Sequence, residues 1–206
     1  MDLGFDLKEW ETVIPIEAGD YENLELGGHE IVIVDARLYK SEVSGNTSLR
    51  ICVDIAGSDK QKGFFKKQYD ENTNEDKKWP TGAVRYLSLK NENLAYTKGF
   101  ITSLEKSNNG FKFDTKKGWD QLKKLKCAGV FGLEEYENDK GETKTATKLV
   151  QFRSLDKLAE IKIPSVKKLN GEFVSYEEYM ATRNNNTNSI EKDFEGVITI
   201  DDNFLD

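Results

Sequence analysis

The chain has 206 residues, enough for one domain with appendages, and its composition excludes several protein classes. Hydrophobic residues make up 37% and charged residues 33%, and no apolar run approaches the roughly 20 residues of a membrane helix, so no membrane span is expected. The acidic start of the chain does not have the pattern of a secretory signal. We therefore expect a cytoplasmic protein in which Cys52 and Cys127 are buried, reduced thiols.

The net charge of −7 is distributed unevenly along the chain. Residues 185–206 contain six acids and one lysine, a net −5, which leaves residues 1–184 with only −2. Because the lysine-rich body is nearly neutral and the acids lie at the end, the negative net charge does not argue against a nucleic-acid partner.

The first half of the sequence predicts three strands after an N-terminal arm at residues 1–28. Residues 29–39 form a near-continuous apolar run, which is typical of a strand covered on both faces. Residues 49–56 alternate between apolar and polar, and residues 63–69 predict the third strand. The apolar face of the second strand consists of Leu49, Ile51, Val53 and Ile55.

The second half predicts a helix, a hairpin and two terminal segments. Residues 91–106 have helical spacing, and residues 126–136 and 143–154 form two strands around a turn with a left-handed glycine. Residues 171–183 predict a short helical extension, and residues 184–206 a polar linker with an acidic tail.

This order of elements predicts a mainly β fold with one or two helices. Five short strands with a helix between the third and fourth match a five-stranded OB-type barrel, here over residues 29–170. Other small barrels and a β-sandwich with an inserted helix give a similar order of elements.

The sequence contains no recognisable catalytic constellation. His29, at a strand start, has no partner at metal-ligand spacing and is interpreted as a surface or barrel-end histidine. Glu134 and Glu135 are neighbours in a strand and point to opposite faces, so solvated acids are the better interpretation. We expect a protein that is not an enzyme and has no metal or cofactor.

The positive signal is a mixture of cations and aromatic rings between residues 60 and 90, together with Arg50 on the second strand. Cations neutralise phosphates, and flat rings stack on unpaired bases. In an OB-type barrel the second and third strands form the usual binding face. The residues predicted to contact nucleic acid are Arg50, Phe64, Phe65, Lys66, Lys67, Tyr69, Lys77, Lys78, Trp79, Arg85 and Tyr86.

Core packing is the competing interpretation for these rings. One of Phe64 and Phe65 is expected to face the core because neighbouring strand residues alternate. Trp79, which precedes Pro80, is placed either on the binding face or as a plug at the end of the barrel. Four acids in the same window would weaken non-specific binding. They are Asp70, Glu71, Glu75 and Asp76.

Several segments together resemble a family of single-stranded DNA-binding or replication proteins from phages and mobile elements of Gram-positive bacteria. The segments are "GHEIVIVDARL", "LRICVDIAG", "GFFKKQYDE", "KGFITSLEKSNNGFKFD", "GVFGLEEYENDKGETKT" and "SVKKL". The resemblance extends from about Ile31 to Leu169. It implies a role in phage or mobile-element DNA replication or recombination in the cytoplasm of the bacterial host, and assigns no ligand residue by residue.

The end of the chain is similar to the acidic tips of bacterial single-strand binding proteins, which dock on replication and repair partners. Here Leu205 and Asp206 follow Phe204, whereas those tips end in phenylalanine. The resemblance implies contacts with replication or recombination proteins. The tail residues predicted to make them are Asp201, Asp202, Phe204, Leu205 and Asp206.

The sequence therefore predicts a sequence-independent single-stranded DNA-binding protein, and homo-oligomers are compatible with it. The first alternative is a phage-encoded protein that binds and inhibits a host defence protein and binds no nucleic acid. The second is a barrel-based nuclease, which would need clustered carboxylates for Mg²⁺.

Overall fold

A computed structural model describes residues 23–183, in which one seven-stranded sheet is combined with a few helices. The predicted mainly β character is confirmed. The arm residues 1–22 and the tail residues 184–206, including Asp201, Asp202, Phe204, Leu205 and Asp206, lie outside the described residues. The strands are Gly27–Lys40 (β1), Thr47–Ile55 (β2), Val84–Ser88 (β3), Lys126–Glu137 (β4), Thr143–Arg153 (β5), Val166–Lys167 (β6) and Phe173–Val174 (β7).

The helices lie in the connections between strands and after the last strand. The α-helices are Phe64–Glu71 (α1), Leu94–Ser107 (α2) and residues 176–183 (α3). The short 3₁₀ turns are Thr81–Ala83, Asn91–Asn93, Trp119–Leu122 and Leu155–Glu160. The predicted helix at residues 91–106 and the predicted hairpin are confirmed, with Gly141 left-handed in the turn at φ 75°.

The sheet is open. Its order is β3-β2-β1-β4-β6-β7, and β5 pairs with β4 outside this path. All pairs are antiparallel except β4 with β6. Within residues 23–183 no hydrogen-bonded ladder joins β3 to β5, so the closed five-stranded barrel expected from the sequence is not seen in the strand pairing.

β1 is a long inner strand that pairs with its two neighbours along different parts of its length. Its first half pairs with β4, and residues 31–40 pair with β2. A register irregularity between Ile33 and Asp35 marks a bulge, and Val34 in the bulge is 39% exposed. A bulge bends a strand and increases its twist, which allows one long strand to change partners.

The core lies on one face of β2, as its alternation predicted. Leu49, Ile51, Val53 and Ile55 are each at most 2% exposed. Helix α2 covers this core with Phe100, whose ring lies 4.3 Å from that of Phe152. Cys52 and Cys127 are buried and free, in agreement with the expected thiols.

The prediction of a strand at residues 63–69 is wrong, because these residues begin α1. Gly63 precedes the helix with φ 71°, a left-handed conformation that interrupts a strand. Oδ1 of Asp54 in β2 accepts hydrogen bonds from the N–H groups of Phe65 (3.0 Å) and Lys66 (3.2 Å). A carboxylate here satisfies donors that the first helical turn leaves unpaired. The third strand in the chain is instead β3.

Of the two interpretations of His29, surface or barrel-end, the surface one is wrong. The residue is 2% exposed, with Nδ1 3.2 Å from the carboxylate of Asp59 and Nε2 3.0 Å from the carbonyl oxygen of Glu25. The N–H of Glu30 donates to the same Asp59 carboxylate. The network joins the start of β1 to the loop after β2, which is a structural role.

The predicted helical extension contains a docked helix. Residues 176–183 are helical, and Tyr179 is buried with its hydroxyl donating to Oε1 of Glu135 at 2.9 Å. Burial, followed by this hydrogen bond, raises the pKa of Tyr179. None of the helices within residues 23–183 combines the length and hydropathy required to cross a bilayer.

Candidate nucleic-acid interface

Two arginines lie directly opposite each other on the face of the sheet that points away from the core. Arg37 of β1 pairs in register with Arg50 of β2, and Arg50 pairs with Tyr86 of β3. The three side chains therefore form one row across three strands. Like charges that oppose each other on neighbouring strands destabilise a sheet, so this row needs negative charge nearby.

Asp35 supplies part of that negative charge. Its carboxylate lies 3.3 Å from Nε of Arg37, 3.9 Å from Nη1 of Arg50 and 3.2 Å from Nζ of Lys123. Hydrogen bonds with Asp120 and then Asp35 raise the pKa of Lys123. One carboxylate is thus shared among three cations, and the positive charge of the row is only partly compensated.

Two pairs of aromatic rings lie in the same depression as this row, and Tyr86 belongs both to the row and to one of the pairs. The rings of Tyr39 and Tyr86 are 5.1 Å apart in an edge arrangement, and those of Tyr69 and Trp79 are 5.3 Å apart and tilted by 35°. The indole N–H of Trp79 donates to the carbonyl oxygen of Val53 at 2.8 Å, which holds this ring in place. Exposed rings held at defined positions can stack on unpaired bases.

These residues line one depression of about 940 Å³, which we call the basic groove. Buried Cys52 is among its lining residues, and the others come from strands β1 to β5, from α1 and from the segment between α1 and β3. Burial raises the pKa of the Cys52 thiol, which keeps the thiol protonated and unreactive. The charged residues of the groove are six cations and two acids: Arg37, Arg50, Lys77, Lys78, Arg85, Lys148, Asp35 and Glu134.

Seven of the eleven predicted contact residues lie in the basic groove. They are Arg50, Tyr69, Lys77, Lys78, Trp79, Arg85 and Tyr86. Trp79 also packs against the core, as the competing core-packing interpretation of these rings predicted. Lys78 and Arg85 make no ion pair or side-chain hydrogen bond with another described residue, which leaves their charges available to a ligand.

Four predicted contact residues lie outside the groove because α1 replaces the expected strand. Phe65 is 3% exposed and packs in the core against Phe131, so it cannot stack on a base, and Phe64 packs half-buried beside it. Lys66 forms a 2.6 Å ion pair with Asp70 within the helix. Lys67 is exposed on α1 and does not line the groove.

Sequence reasoning missed Arg37, Tyr39 and Lys148. The prediction followed the local density of cations and rings between residues 60 and 90, and these three residues lie on strands outside that window. Pairing β1 with β2 across the short turn that joins them would have placed Arg37 opposite Arg50. Lys148 reaches the groove by a tertiary contact, in which its Nζ donates to the hydroxyl of Thr81 at 3.0 Å.

The positions of Glu134 and Glu135 do not favour acid–base catalysis by this pair. Glu134 lines the groove, whereas Glu135 accepts hydrogen bonds from Leu169 and Tyr179 on another surface. The two carboxylates therefore do not act on one substrate. Across residues 23–183, no three His, Cys, Asp or Glu side chains are grouped so as to hold a metal ion.

No protein-family model matches the chain, and no curated protein is significantly similar to it. Its function is therefore inferred from the chemistry of the basic groove.

Proposed function

We propose that the protein binds single-stranded DNA without sequence preference through the basic groove, and that it acts in replication or recombination of a phage or mobile element. The observation that carries this proposal is that the row of Arg37, Arg50 and Tyr86 shares one groove with two pairs of aromatic rings, one of which includes Tyr86. Phosphates would complete the charge compensation that Asp35 only begins, with release of counterions. The rings would stack on the bases.

The chemistry of the groove favours a single strand over a duplex. Tyr39 and Tyr86 are 42% and 47% exposed, and rings of this kind gain stacking energy only from bases that are unpaired. Stacking tolerates every base, because each base has a π-face. Cations and rings therefore support binding that depends weakly on sequence.

The proposed architecture is an OB-type barrel with an open seam between β3 and β5. Three observations support it: the adjacency β3-β2-β1-β4-β5, the long bulged β1 shared by β2 and β4, and helix α2 between β3 and β4. The OB-fold is a partly open barrel that binds oligonucleotides across its second and third strands, and we propose the same binding face for this protein.

The acidic tail residues would contact replication partners. This role rests on their charge and on their resemblance to the acidic tips of bacterial single-strand binding proteins.

Anisotropy titration of a labelled oligo-dT at several salt concentrations tests the function. We expect micromolar or tighter binding that weakens with salt. Lys78→Ala should reduce the slope of log K against log salt by about 0.7, the value for one phosphate contact on a single strand. Lys67→Ala is the matched control, because it removes an exposed lysine outside the groove and should leave the slope unchanged.

The proposal is contradicted if the full chain shows no salt-sensitive binding, or if both lysine variants change the slope equally. Retention of one host protein without any oligonucleotide binding would favour the inhibitor alternative. Cleavage of the oligonucleotide only when Mg²⁺ is added would favour the nuclease alternative.

A further inference from the structure

A second depression lies between the unpaired edges of β3 and β5, and we call it the seam cleft. It encloses about 960 Å³, close to the volume of the basic groove. Helix α2, β4 and parts of residues 164–173 form its remaining walls. In a fully closed barrel, strand pairing would fill the space between these two edges.

The seam cleft is continuous with the basic groove. Arg85, Tyr86 and Glu134 line both depressions. Because Tyr86 ends the arginine row of the basic groove, a ligand that passes this ring meets the seam cleft next. The two depressions thus form one extended surface with Tyr86 at the junction.

Arg85 is a charged residue on the side of β3 that faces the core. It pairs in register with Ile51, which is fully buried, and therefore shares the core-facing side of β3 with Leu87. Arg85 is half-buried as a residue, and its side chain makes no ion pair or hydrogen bond with another described residue. A partly desolvated cation without a partner costs free energy. An anion in the seam would supply the missing partner.

Like the basic groove, the seam cleft is lined by aromatic rings and by more cations than acids. Two rings on its rim are among the most exposed in the described chain, Tyr96 at 73% and Phe173 at 68%. Arg153 and Lys167 also line the cleft, so with Arg85 it contains three cations, against Glu134 as its one acid. Lys167 makes no ion pair with another described residue.

We propose that single-stranded DNA follows a two-segment path, from the basic groove past Tyr86 into the seam cleft. This proposal rests on the proposed function and extends it, because it defines the preferred substrate as a strand long enough to fill both depressions. The excess of cations favours a nucleic-acid strand over a neutral peptide as the occupant. Because no ladder joins β3 to β5, N–H groups on these two strand edges can donate to sugars and phosphates.

Titration with oligo-dT of increasing length tests the path, over the range of about 4 to 16 nucleotides that single OB-type domains occupy. The cleft variant combines Tyr96→Ala with Phe173→Ala in the full chain. We expect its affinity for the longest oligonucleotides to fall at least about fivefold, while the shortest bind as they do to the wild type. Tyr136→Ala is the matched control, because Tyr136 is a 46% exposed ring on β4 that lines neither depression.

A second measurement maps the path directly. An oligonucleotide of the longest length that carries 4-thiothymidine should crosslink to peptides containing Tyr96 or Phe173 as well as to peptides of the basic groove. The conservative variant Tyr96→Phe with Phe173→Tyr should keep the wild-type length dependence, because it preserves both rings.

Several outcomes would overturn the path. They are an equal loss of affinity for short and long oligonucleotides in the cleft variant, no loss at any length, or crosslinks confined to the basic groove. A wild-type chain that binds no oligonucleotide of any length would overturn the proposed function itself. The two failures are therefore distinguishable.

Discussion

At the scale of single residues, the opposed pair Arg37 and Arg50 is the clearest sign of a binding surface. The Arg50 side chain is only 16% exposed, so solvent screens its charge poorly. Asp35 is the one acid within ion-pair distance of both arginines among the described residues. The free protein thus holds positive charge that an anionic strand can neutralise.

Asp35→Asn should affect DNA binding and folding in opposite directions. Removing one carboxylate leaves one more positive charge of the arginine row for a phosphate, so affinity for oligo-dT should rise, with a salt slope steeper by about 0.7. The free energy of unfolding should fall by about 1 kcal/mol, because the arginine repulsion is no longer compensated. Anisotropy and urea unfolding measure the two effects. Weaker binding by the variant would mean that Asp35 positions the arginines more than it neutralises them.

Tyr69 and Trp79 lie side by side, and their substitutions should separate stacking from packing. Tyr69→Ala should weaken oligo-dT binding by about 1–3 kcal/mol, because one stacking ring is lost. The free energy of unfolding should change little. Trp79→Ala should also lower the free energy of unfolding, because its indole donates to Val53 and packs against the core. Titration and thermal unfolding measure both. Unchanged affinity for Tyr69→Ala, with a lower melting temperature, would make this ring structural.

At the scale of elements, the pattern of neighbouring residues predicted some helices and strands correctly and others wrongly. The β4–β5 hairpin was predictable because its turn, with a left-handed glycine, is encoded within a few residues. Residues 63–69 were predicted as a strand but form a helix, whose first turn has two N–H groups bound by Asp54. Asp54 is too far along the chain for any local pattern to include it.

The close approach of the Thr81–Ala83 turn to β5 should make Gly82 sensitive to substitution. A Cβ at Gly82 would lie 2.7 Å from the carbonyl oxygen of Thr147, so Gly82→Ala should lower the free energy of unfolding by about 1–3 kcal/mol. Gly99 in α2 has open space around it, and Gly99→Ala should instead raise it by about 0.5–1 kcal/mol. Urea unfolding measures both, and equal stability of Gly82→Ala and wild type would contradict the close approach.

The ion pair between Glu30 of β1 and Lys126 of β4 should make stability depend on pH. The hydrogen bond from Lys126 is the main cause that lowers the pKa of Glu30 below its ordinary value of 4.5. A lowered pKa stabilises the fold above the ordinary value, and this stabilisation is lost as the pH falls through the lowered pKa. Glu30→Gln should therefore lower the free energy of unfolding by about 0.5–1 kcal/mol at neutral pH.

The stability difference between Glu30→Gln and wild type should shrink as the pH falls below 4.5. Urea unfolding across this range measures it. Glu137→Gln is the control, because Glu137 is an exposed acid of β4 without an ion pair among the described residues. A difference that stays constant with pH would show that the Glu30 charge does not contribute.

At the scale of the whole molecule, the open seam and the charge distribution have the largest consequences for binding. The described sheet leaves β3 and β5 unpaired with each other, which joins two depressions into one surface. The net charge of −7 conceals this surface, because residues 185–206 contribute −5 of it. The negative net charge of the chain therefore does not argue against the proposed nucleic-acid partner.

Removal of residues 184–206 should strengthen DNA binding by lowering the negative potential that the strand meets. We expect a gain of about tenfold at low salt, which fades toward 1 M salt, where the Debye length is about 3 Å. A chain in which the six acids of the tail are replaced by amides is the control and should match the deletion. A gain seen only with the deletion would contradict an electrostatic cause.

The sequence by itself determined what depends on neighbours along the chain. These features are the alternating core face of β2, the helix α2, the β4–β5 hairpin and the acidic character of the tail. Tertiary structure decided what depends on distant residues. Strand register places Arg37 opposite Arg50, and Asp54 turns residues 64–71 into a helix, which moves Phe65 into the core. The physical reason is that charge pairing and capping act through space, whereas periodicity records only local order.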